Sequence, residues 1–287
     1  MPGEEAQRRV VVTGRGALLP WGEGVAAVLR LREPAPAEPP GAVRFAAREF
    51  VPNAKVLRAM HRGFQLTAAA AVLAMREAGL ADAAGLAAAG VDPRRAGTAV
   101  AAGEINPATA DLVATVETHA LTTAAEWGAF GQAALHGLHP FRRLALLTNM
   151  AAAHVSILFG LQGPSLTLTS GAAAGAQILR EGYWAIAEGR ANLMVCEASD
   201  TPQQAVEAEA TGEAAAAVVL ESLETAQARE AEIWAEVGAD IGGDGAGLGA
   251  GWERYFPNCG PLLAALASAS GGPGARLGMA TSEVAGR

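Results

Sequence analysis

The sequence is poor in the residues that most often carry chemistry. Of its 287 residues, 2 are cysteine and 5 are histidine, and Lys55 is the single lysine among 21 basic residues. Aromatic residues make up 5% and charged residues 17%, whereas hydrophobic residues reach 51%. Two cysteines exclude a disulfide framework and favour a reducing cytoplasm. The apolar content excludes a disordered chain, and the length allows one large core or two modest ones.

A clustered excess of positive charge is also absent. The formal net charge is −8, which argues against a nucleic-acid partner because phosphate neutralisation requires clustered basic residues. The acidic start, Met1–Glu5, does not resemble a signal peptide. Leu144–Leu179 contains no charged residue, but Pro164 and several polar residues interrupt it, which favours buried core over a membrane helix.

Short apolar runs alternate with helical patterns along most of the chain. This alternation predicts an α/β fold with a mainly parallel sheet that is covered on both faces. The predicted strands are Arg9–Gly14, closed by its glycine, then Gly97–Gly103, Ser165–Thr169 and Ala191–Cys196. The predicted helices are Trp21–Leu31, Phe64–Leu80, Ala108–His119, Thr148–Gly160 and a helix that ends at Glu188.

The pattern changes after residue 212. Glu213–Glu221 and Ala231–Gly238 are strand-like runs with a short polar connection, which predicts adjacent antiparallel strands. The glycine-rich stretch 242–251 has the composition of a linker, and a helix (Gly260–Ala267) and a strand (Ala275–Ala280) follow. We therefore expect a complete half over residues 1–212 and a shortened strand and helix layer over 213–287.

Several segments, in order, resemble the β-ketoacyl-acyl-carrier-protein synthases of the thiolase fold. RVVVTGRGALLPWGEG (9–24) is similar to the opening strand of that family, and MHRGFQLTAAAAVLAMREAGL (60–80) to its next helix. VDPRRAGTAVAAG (91–103) resembles a further strand, and the segment 139–175, which contains GPSLTLTSGAAAG, resembles the long motif that leads to the nucleophile. GEAAAAVVLESLETAQAREAEIWAEV (212–237) resembles the strand pair that begins the second half. The resemblance implies a layered thiolase-like fold.

The resemblance also indicates the positions of the catalytic residues of the family, and this chain lacks the expected residue types there. The family places a nucleophilic cysteine in the turn before a buried helix, and the matching position holds Ala172. Members of the family also need two histidines from the second half of their chain. The histidines of this chain, at positions 61, 119, 136, 139 and 154, all precede that half. No cofactor or metal is expected.

Other residues offer weaker candidates for chemistry. Ser170 precedes the same helix, but no base is evident beside it, so a turn serine is favoured over a nucleophile. His136 and His139 have a spacing that is compatible with a metal, yet no third ligand follows. Thr13–Gly16 lacks the third glycine of a dinucleotide-binding loop. Cys196 ends a predicted strand, which favours burial over reactivity.

The resemblance assigns a pairing strand and tunnel residues. In the family, the strand that matches Ser165, Leu166, Thr167, Leu168 and Thr169 pairs with its counterpart in a second subunit. Leu146, Leu147 and Met150 match residues that reach across the interface, and Ile105 and Leu112 fall in the segment expected to line the acyl tunnel. Arg142 and Arg143 are candidates for docking an acidic carrier protein, or form a solvated pair.

Three functions follow from these features. The leading expectation is an inactive ketosynthase-like subunit, similar to a chain-length factor, that pairs with an active ketosynthase and meets acyl carrier protein indirectly. The alternative is a homodimeric acyl-binding or scaffolding protein. The third is a thioester-active enzyme that uses Ser170.

Overall fold

The computed structural model describes residues 7–81, 85–102, 122–137, 147–202, 212–239, 241, 248, 250, 252–269 and 275–277. The predicted helix Ala108–His119 and most of the glycine-rich stretch 242–251 lie outside these residues. The described strands are β1 (Val10–Leu19), β2 (Gly22–Glu23), β3 (Ala96–Ala101), β4 (Ser165–Leu168), β5 (Leu193–Asp200), β6 (Ala214–Ser222), β7 (Ala235–Val237) and β8 (Ala275–Leu277). The described α-helices are α1 (Gly24–Leu29), α2 (Ala47–Phe50), α3 (Ala54–Leu57), α4 (Arg62–Glu77), α5 (Gly85–Ala88), α6 (Ala124–Gly137), α7 (Met150–Phe159), α8 (Ala174–Ala187), α9 (Leu223–Ala228) and α10 (Gly260–Ala269).

These strands form one mixed sheet in the order β4-β3-β5-β6-β1-β7-β8, with β2 paired to β1 as a hairpin. The α/β fold is confirmed, but the expectation of a mainly parallel sheet holds only where β3 pairs with β4 and β5, and where β7 pairs with β8. β6 is antiparallel to both of its neighbours. A strand that is buried on both faces has a continuous apolar run whether it pairs parallel or antiparallel. The sequence pattern therefore does not reveal that β6 is antiparallel.

Helices cover both faces of the sheet and create two cores. Helices α1, α8 and α10 pack on one face, and α4 and α7 pack on the other. Residues alternate between the two cores along the central strands. In β6, Val218 and Leu220 join the first core, whereas Ala217 and Val219 join the second. This alternation follows from the two-residue period of a strand, and it explains why β5 and β6 are buried along their whole length.

Strand β1 is longer than predicted and does not end at Gly14. It continues through Gly14 and Gly16 to Leu19. A Cβ atom at Gly16 would lie 2.1 Å from the Ala70 carbonyl oxygen, and one at Gly14 would lie 2.2 Å from that of Ala74. The two glycines therefore allow α4 to contact the strand backbone directly. Both glycines permit close packing of the helix on the strand, and neither glycine ends the strand.

The two strands predicted after residue 212 are not neighbours, which corrects that expectation. β1 lies between β6 and β7 and pairs antiparallel with each of them. The connection between them contains α9, and the Ser222 hydroxyl accepts a 3.2 Å hydrogen bond from the Thr225 N–H at its start. A strand, helix and strand unit that passes over β1 thus replaces the expected hairpin.

Helix α6 was not predicted. It begins with a capping box in which the Glu126 carboxylate accepts a 2.8 Å hydrogen bond from the Thr123 N–H, and the Thr123 hydroxyl accepts one from the Glu126 N–H. Hydrogen bonds from Thr122 and Thr123 lower the pKa of Glu126 to about 2. Within the described ranges, no helix combines the length and apolar character needed to cross a membrane.

Candidate functional site

The turn between β4 and α8 holds the position expected for a nucleophile. Ala172 lies in a single 3₁₀ turn, Gly171–Ala173, and is exposed, whereas Ala174 and Gly175 at the start of α8 are buried. The turn presents its side chain to solvent at the beginning of a 14-residue helix. A methyl group at that place offers neither a nucleophile nor a proton.

Ser170, the other candidate in this turn, is exposed and has no activating group among the described residues. Its hydroxyl donates a 2.5 Å hydrogen bond to Oε1 of Gln177, one turn into α8. An amide oxygen accepts hydrogen bonds but is too weak a base to remove the hydroxyl proton. The sequence-based preference for a turn serine agrees with this geometry.

A C-terminal segment packs on the first turn of α8. A Cβ atom at Gly175 would lie 2.1 Å from the Asn258 carbonyl oxygen, so the two backbones are in direct contact. Asp200, at the end of β5, holds this segment in place. Its carboxylate accepts hydrogen bonds from the backbone N–H of Asn258 (3.1 Å), the side-chain amide of Asn258 (2.8 Å) and the Cys259 N–H (2.7 Å).

Asp200 and Glu197 are buried acids that the sequence analysis did not identify. Burial raises the pKa of Asp200, and the hydrogen bonds from Cys259 and Asn258 oppose that change. Burial also raises the pKa of Glu197 well above its ordinary value, against a hydrogen bond from the Thr98 hydroxyl at 3.0 Å. No periodic signal marked either residue, because each interrupts an apolar strand that is buried on both faces.

Both cysteines are buried and free. Burial raises the pKa of the Cys196 thiol, and the neighbouring Glu197 adds to that effect. Burial likewise raises the pKa of the Cys259 thiol. A thiol that stays protonated is a poor nucleophile, so neither cysteine replaces the missing one. Among the described residues, no group of three or more histidines, cysteines and carboxylates could hold a metal. His139 and the side chain of His136 lie outside the described part.

Strand β4 is the outer strand of the described sheet on this side. It pairs parallel with β3, and the N–H groups of Thr98 and Ala102 donate 2.9 Å hydrogen bonds to the Pro164 and Leu168 carbonyls. In a parallel ladder the backbone groups of alternate residues face the same side. The backbone groups of Leu166 and Leu168 therefore face β3, and the backbone N–H and C=O groups of Ser165 and Thr167 face away from it. No described strand pairs with this outer side of β4, which we call the open edge.

The side chains of β4 are only partly covered. Ser165 and Thr169 are exposed, while the residues between them are intermediate. Leu166 and Leu168 pack against the core that contains α8. The Thr167 hydroxyl is removed from solvent and has no hydrogen-bond partner among the described residues. Within the described residues, the backbone of this edge and one of its side chains therefore lack hydrogen-bond partners.

The predicted tunnel and interface residues are only partly described. Leu147 is 50% exposed just before α7, and Met150, the first residue of α7, packs partly buried on the second core. Helix α7 contacts β4, so the structure brings these residues to the same side of the sheet as the open edge. Ile105, Leu112 and Leu146 lie outside the described residues, as do Arg142 and Arg143.

Comparison with known proteins agrees with this architecture. The family model of the β-ketoacyl synthase N-terminal domain matches residues 34–217. A protein of Streptomyces halstedii that is assigned as polyketide β-ketoacyl synthase 1 is 28% identical over 272 residues, which cover 79% of this chain and 61% of the relative. The chain thus spans less than two thirds of that relative.

Solved structures show the same fold. A type II polyketide synthase acyl-carrier protein in complex with its ketosynthase bound to the hexaketide matches with a TM-score of 0.62 at 22% identity, covering 80% of this chain and 68% of that chain. The ishigamide ketosynthase/chain length factor matches with a TM-score of 0.54 at 23% identity, covering 81% and 62%. A β-ketoacyl synthase from Burkholderia phymatum STM815 gives 0.60 at 22%, covering 80% and 62%. With a thiolase-type mixed sheet and a family match over most of its length, the chain belongs to the β-ketoacyl synthase family, in the part that corresponds to the N-terminal domain.

Proposed function

We propose that this chain is a catalytically inactive ketosynthase-like subunit of the cytoplasm that pairs with an active β-ketoacyl synthase and shapes its acyl tunnel. The observation that carries the proposal is the alanine at position 172, in the turn before α8, where the resemblance places the nucleophile of the family. The protonated, buried cysteines and the unactivated Ser170 supply no substitute. Free cysteines also suit a reducing compartment.

The open edge of β4 supports the pairing half of the proposal. The backbone groups of Ser165 and Thr167 have no partner in the part of the chain that the structure describes, and they match the donors and acceptors that an antiparallel strand of a second subunit would present. An unprotected strand edge is an aggregation hazard for a protein that stays alone. A partner strand would satisfy the edge and join two sheets into one.

Tunnel shaping is assigned to the residues that the family resemblance gives for it. Leu146, Leu147 and Met150 would reach across the interface, and the bulk of Ile105 and Leu112 would limit the length of the acyl chain. Arg142 and Arg143 would contribute to docking of an acidic acyl carrier protein. One of the structural neighbours is named as a ketosynthase/chain length factor, and this name supports such a role.

The division of the chain fits this role. Residues 1–212 would form the ketosynthase-like half, and residues 213–287 a shortened layer of strands and helices. Helix α10 is buried on nearly every side, and the Asn258 turn seals its start against α8. The short layer would thus close the first core without supplying the histidines that the resemblance places in a full second half.

Intact-protein mass spectrometry tests the inactivity directly. The purified chain is incubated with an acyl thioester, and the mass of the protein is measured together with the release of free thiol. We expect no acyl adduct and no turnover above the uncatalysed rate, because the turn has no activated nucleophile. Turnover or an adduct that disappears in Ser170→Ala would overturn the proposal in favour of a thioester-active enzyme.

A further inference from the structure

A cavity of about 210 Å³ lies between α7 and the segment that contains α3, on the face of the sheet opposite the Ala172 turn. Its described walls are apolar apart from Asn53 at the rim and one imidazole. Its lining includes Val56, Met60, Ala68, His154, Ile157 and Leu158. We call this the histidine cavity.

His154 is the unexplained group in this cavity. The residue is only 7% exposed, and both of its ring nitrogens are removed from solvent without a hydrogen-bond partner among the described residues. Burial lowers the pKa of His154, and the Ala59 carbonyl opposes that change without reaching hydrogen-bond geometry. An unsatisfied buried polar group is costly, and such groups in native proteins usually have a partner or a role.

The chemistry of the walls restricts what could satisfy His154. None of the described lining residues is charged, so an anionic or cationic ligand would lose its hydration without a counter-ion. A neutral imidazole has one donor and one acceptor nitrogen. A hydroxyl group both donates and accepts, so it complements whichever nitrogen faces the cavity.

Size restricts the ligand further. Liquid water occupies about 30 Å³ per molecule, so the cavity holds roughly seven non-hydrogen atoms. It is smaller than a drug-sized pocket, and its aliphatic walls suit an alkyl chain. Ile157, at 71% exposure, stands at the rim and leaves a route from solvent.

We propose that the histidine cavity binds a short alkyl chain that carries a neutral hydroxyl group, with the hydroxyl on His154 and the alkyl part against Val56, Met60 and Leu158. The cavity shares no lining residue with the proposed pairing surface, because its walls come from α3, α4, α7 and the segments just before and after α3, and none of them from β4. The proposal gives a partner to the ring nitrogen that faces the cavity, and it accounts for the apolar walls.

The test uses the full-length chain and 1-hexanol, which has seven non-hydrogen atoms. Isothermal titration calorimetry measures its binding beside that of 1-chlorohexane, a probe of the same length without a hydroxyl donor, and that of hexanoate, which adds a charge. We expect saturable binding of 1-hexanol, about tenfold tighter than 1-chlorohexane, because one hydrogen bond distinguishes the two. Hexanoate should bind more weakly than both.

Two variants assign the binding to the cavity. His154→Leu removes the ring nitrogens and should abolish the preference for 1-hexanol over 1-chlorohexane. Val56→Phe fills the cavity from its partly exposed wall, where folding tolerates change, and should weaken both probes. Circular dichroism checks that each variant is folded.

The proposal is overturned by any of three results with the folded wild-type chain or with a folded variant. These are no saturable binding of 1-hexanol, equal binding of 1-hexanol and 1-chlorohexane, or binding of 1-hexanol that Val56→Phe leaves unchanged. If His154→Leu does not fold, His154→Gln serves as the second variant, and it should retain part of the preference because its amide can bond to the hydroxyl.

Discussion

Two regions of one sheet treat their polar groups in opposite ways. Where β1 and β6 meet, the buried groups are paired within the chain. Arg229 forms an ion pair with Glu221, donates a 2.7 Å hydrogen bond to the Ala78 carbonyl, and shares Glu221 with the Thr13 hydroxyl. At β4 the outward backbone groups and the Thr167 hydroxyl have no partner among the described residues.

The contrast indicates where the chain is self-sufficient. Buried polar groups in native proteins are satisfied, so a region with every group paired can fold without help. A strand edge with unpaired groups is complete only when another strand adds to it. The β1–β6 region is therefore expected to determine stability, and the β4 edge to determine association.

Loss of Arg229 should have the largest effect on stability. Arg229→Ala leaves the Glu221 carboxylate, which is 0% exposed, without its cation. Removal of one member of a buried ion pair costs about 3–5 kcal/mol in the free energy of unfolding. Urea denaturation measures this loss.

Arg190→Ala is the matched control for Arg229→Ala. It removes an ion pair with Glu188 in which both side chains are about half exposed. An exposed pair contributes at most about 1 kcal/mol. Equal losses in the two variants would show that the polar cluster of β1 and β6 does not stabilise the fold.

Acid should destabilise the second core through His61. Burial, and then the neighbouring His154, lower the pKa of His61 to about 4. The folded chain thus binds a proton less readily than the unfolded chain, so this contribution to stability is complete above about pH 6.5 and is lost as the pH falls towards 4. Nδ1 of His61 also accepts a 3.0 Å hydrogen bond from the Gly63 N–H, which protonation would remove.

Urea denaturation at pH 7 and pH 4.5 should show a loss of about 1–3 kcal/mol in the wild-type chain beyond that in His61→Asn. Asparagine keeps an acceptor for the start of α4 but does not titrate. The same pH dependence in both proteins would remove His61 as the cause. His61→Asn should also associate at β4 like the wild-type chain at pH 7, because the ring of His61 is neutral there.

A proline at the β4 edge should separate association from stability. Thr167→Pro removes an N–H that faces away from β3, so the sheet inside the chain keeps its hydrogen bonds, and the free energy of unfolding should fall by no more than about 1 kcal/mol. Pairing with a second subunit should weaken at least tenfold. Analytical ultracentrifugation measures the association.

Two variants control the proline experiment. Thr167→Val retains the N–H and should pair normally. Leu166→Pro removes an N–H that faces β3 and should cost more stability than Thr167→Pro. Normal association of Thr167→Pro would place the interface elsewhere on the molecule.

Ser170→Ala should have the smallest effect. The hydroxyl is exposed and bonds only to Gln177 among the described residues, so the free energy of unfolding should change by no more than about 0.5 kcal/mol. Urea denaturation checks this value. A loss above about 1 kcal/mol would mean that the hydrogen bond between Ser170 and Gln177 stabilises the turn in spite of its exposure.

The sequence predicted element types better than their arrangement. The apolar run that became β5 and the Ala-rich pattern that became α4 follow directly from periodicity. Helix α6 has a readable start signal in the capping box of Thr123 and Glu126, but its apolar stripe is too weak for periodicity to predict the helix. By contrast, Gly14 resembled the end of a strand, and only the contact with Ala74 shows why a glycine lies inside it.

The candidate site divides in the same way. The β4 strand could be located from the sequence, and the position of Ala172 rests on motif order alone. The open edge, the Asp200 anchor and the orphaned His154 depend on contacts between residues far apart in the chain, which no local pattern encodes. Such contacts arise only when the sheet order is known, and β1 between β6 and β7 was not anticipated.

The most direct test of the account is the mass of the complex that forms when this chain is co-expressed with an active β-ketoacyl synthase from the same genome. Native mass spectrometry of the purified material should give a one-to-one heterodimer, and Thr167→Pro should remove it. Recovery of stable homodimers alone, with no affinity for the ketosynthase, would contradict the proposed function and favour a homodimeric acyl-binding protein.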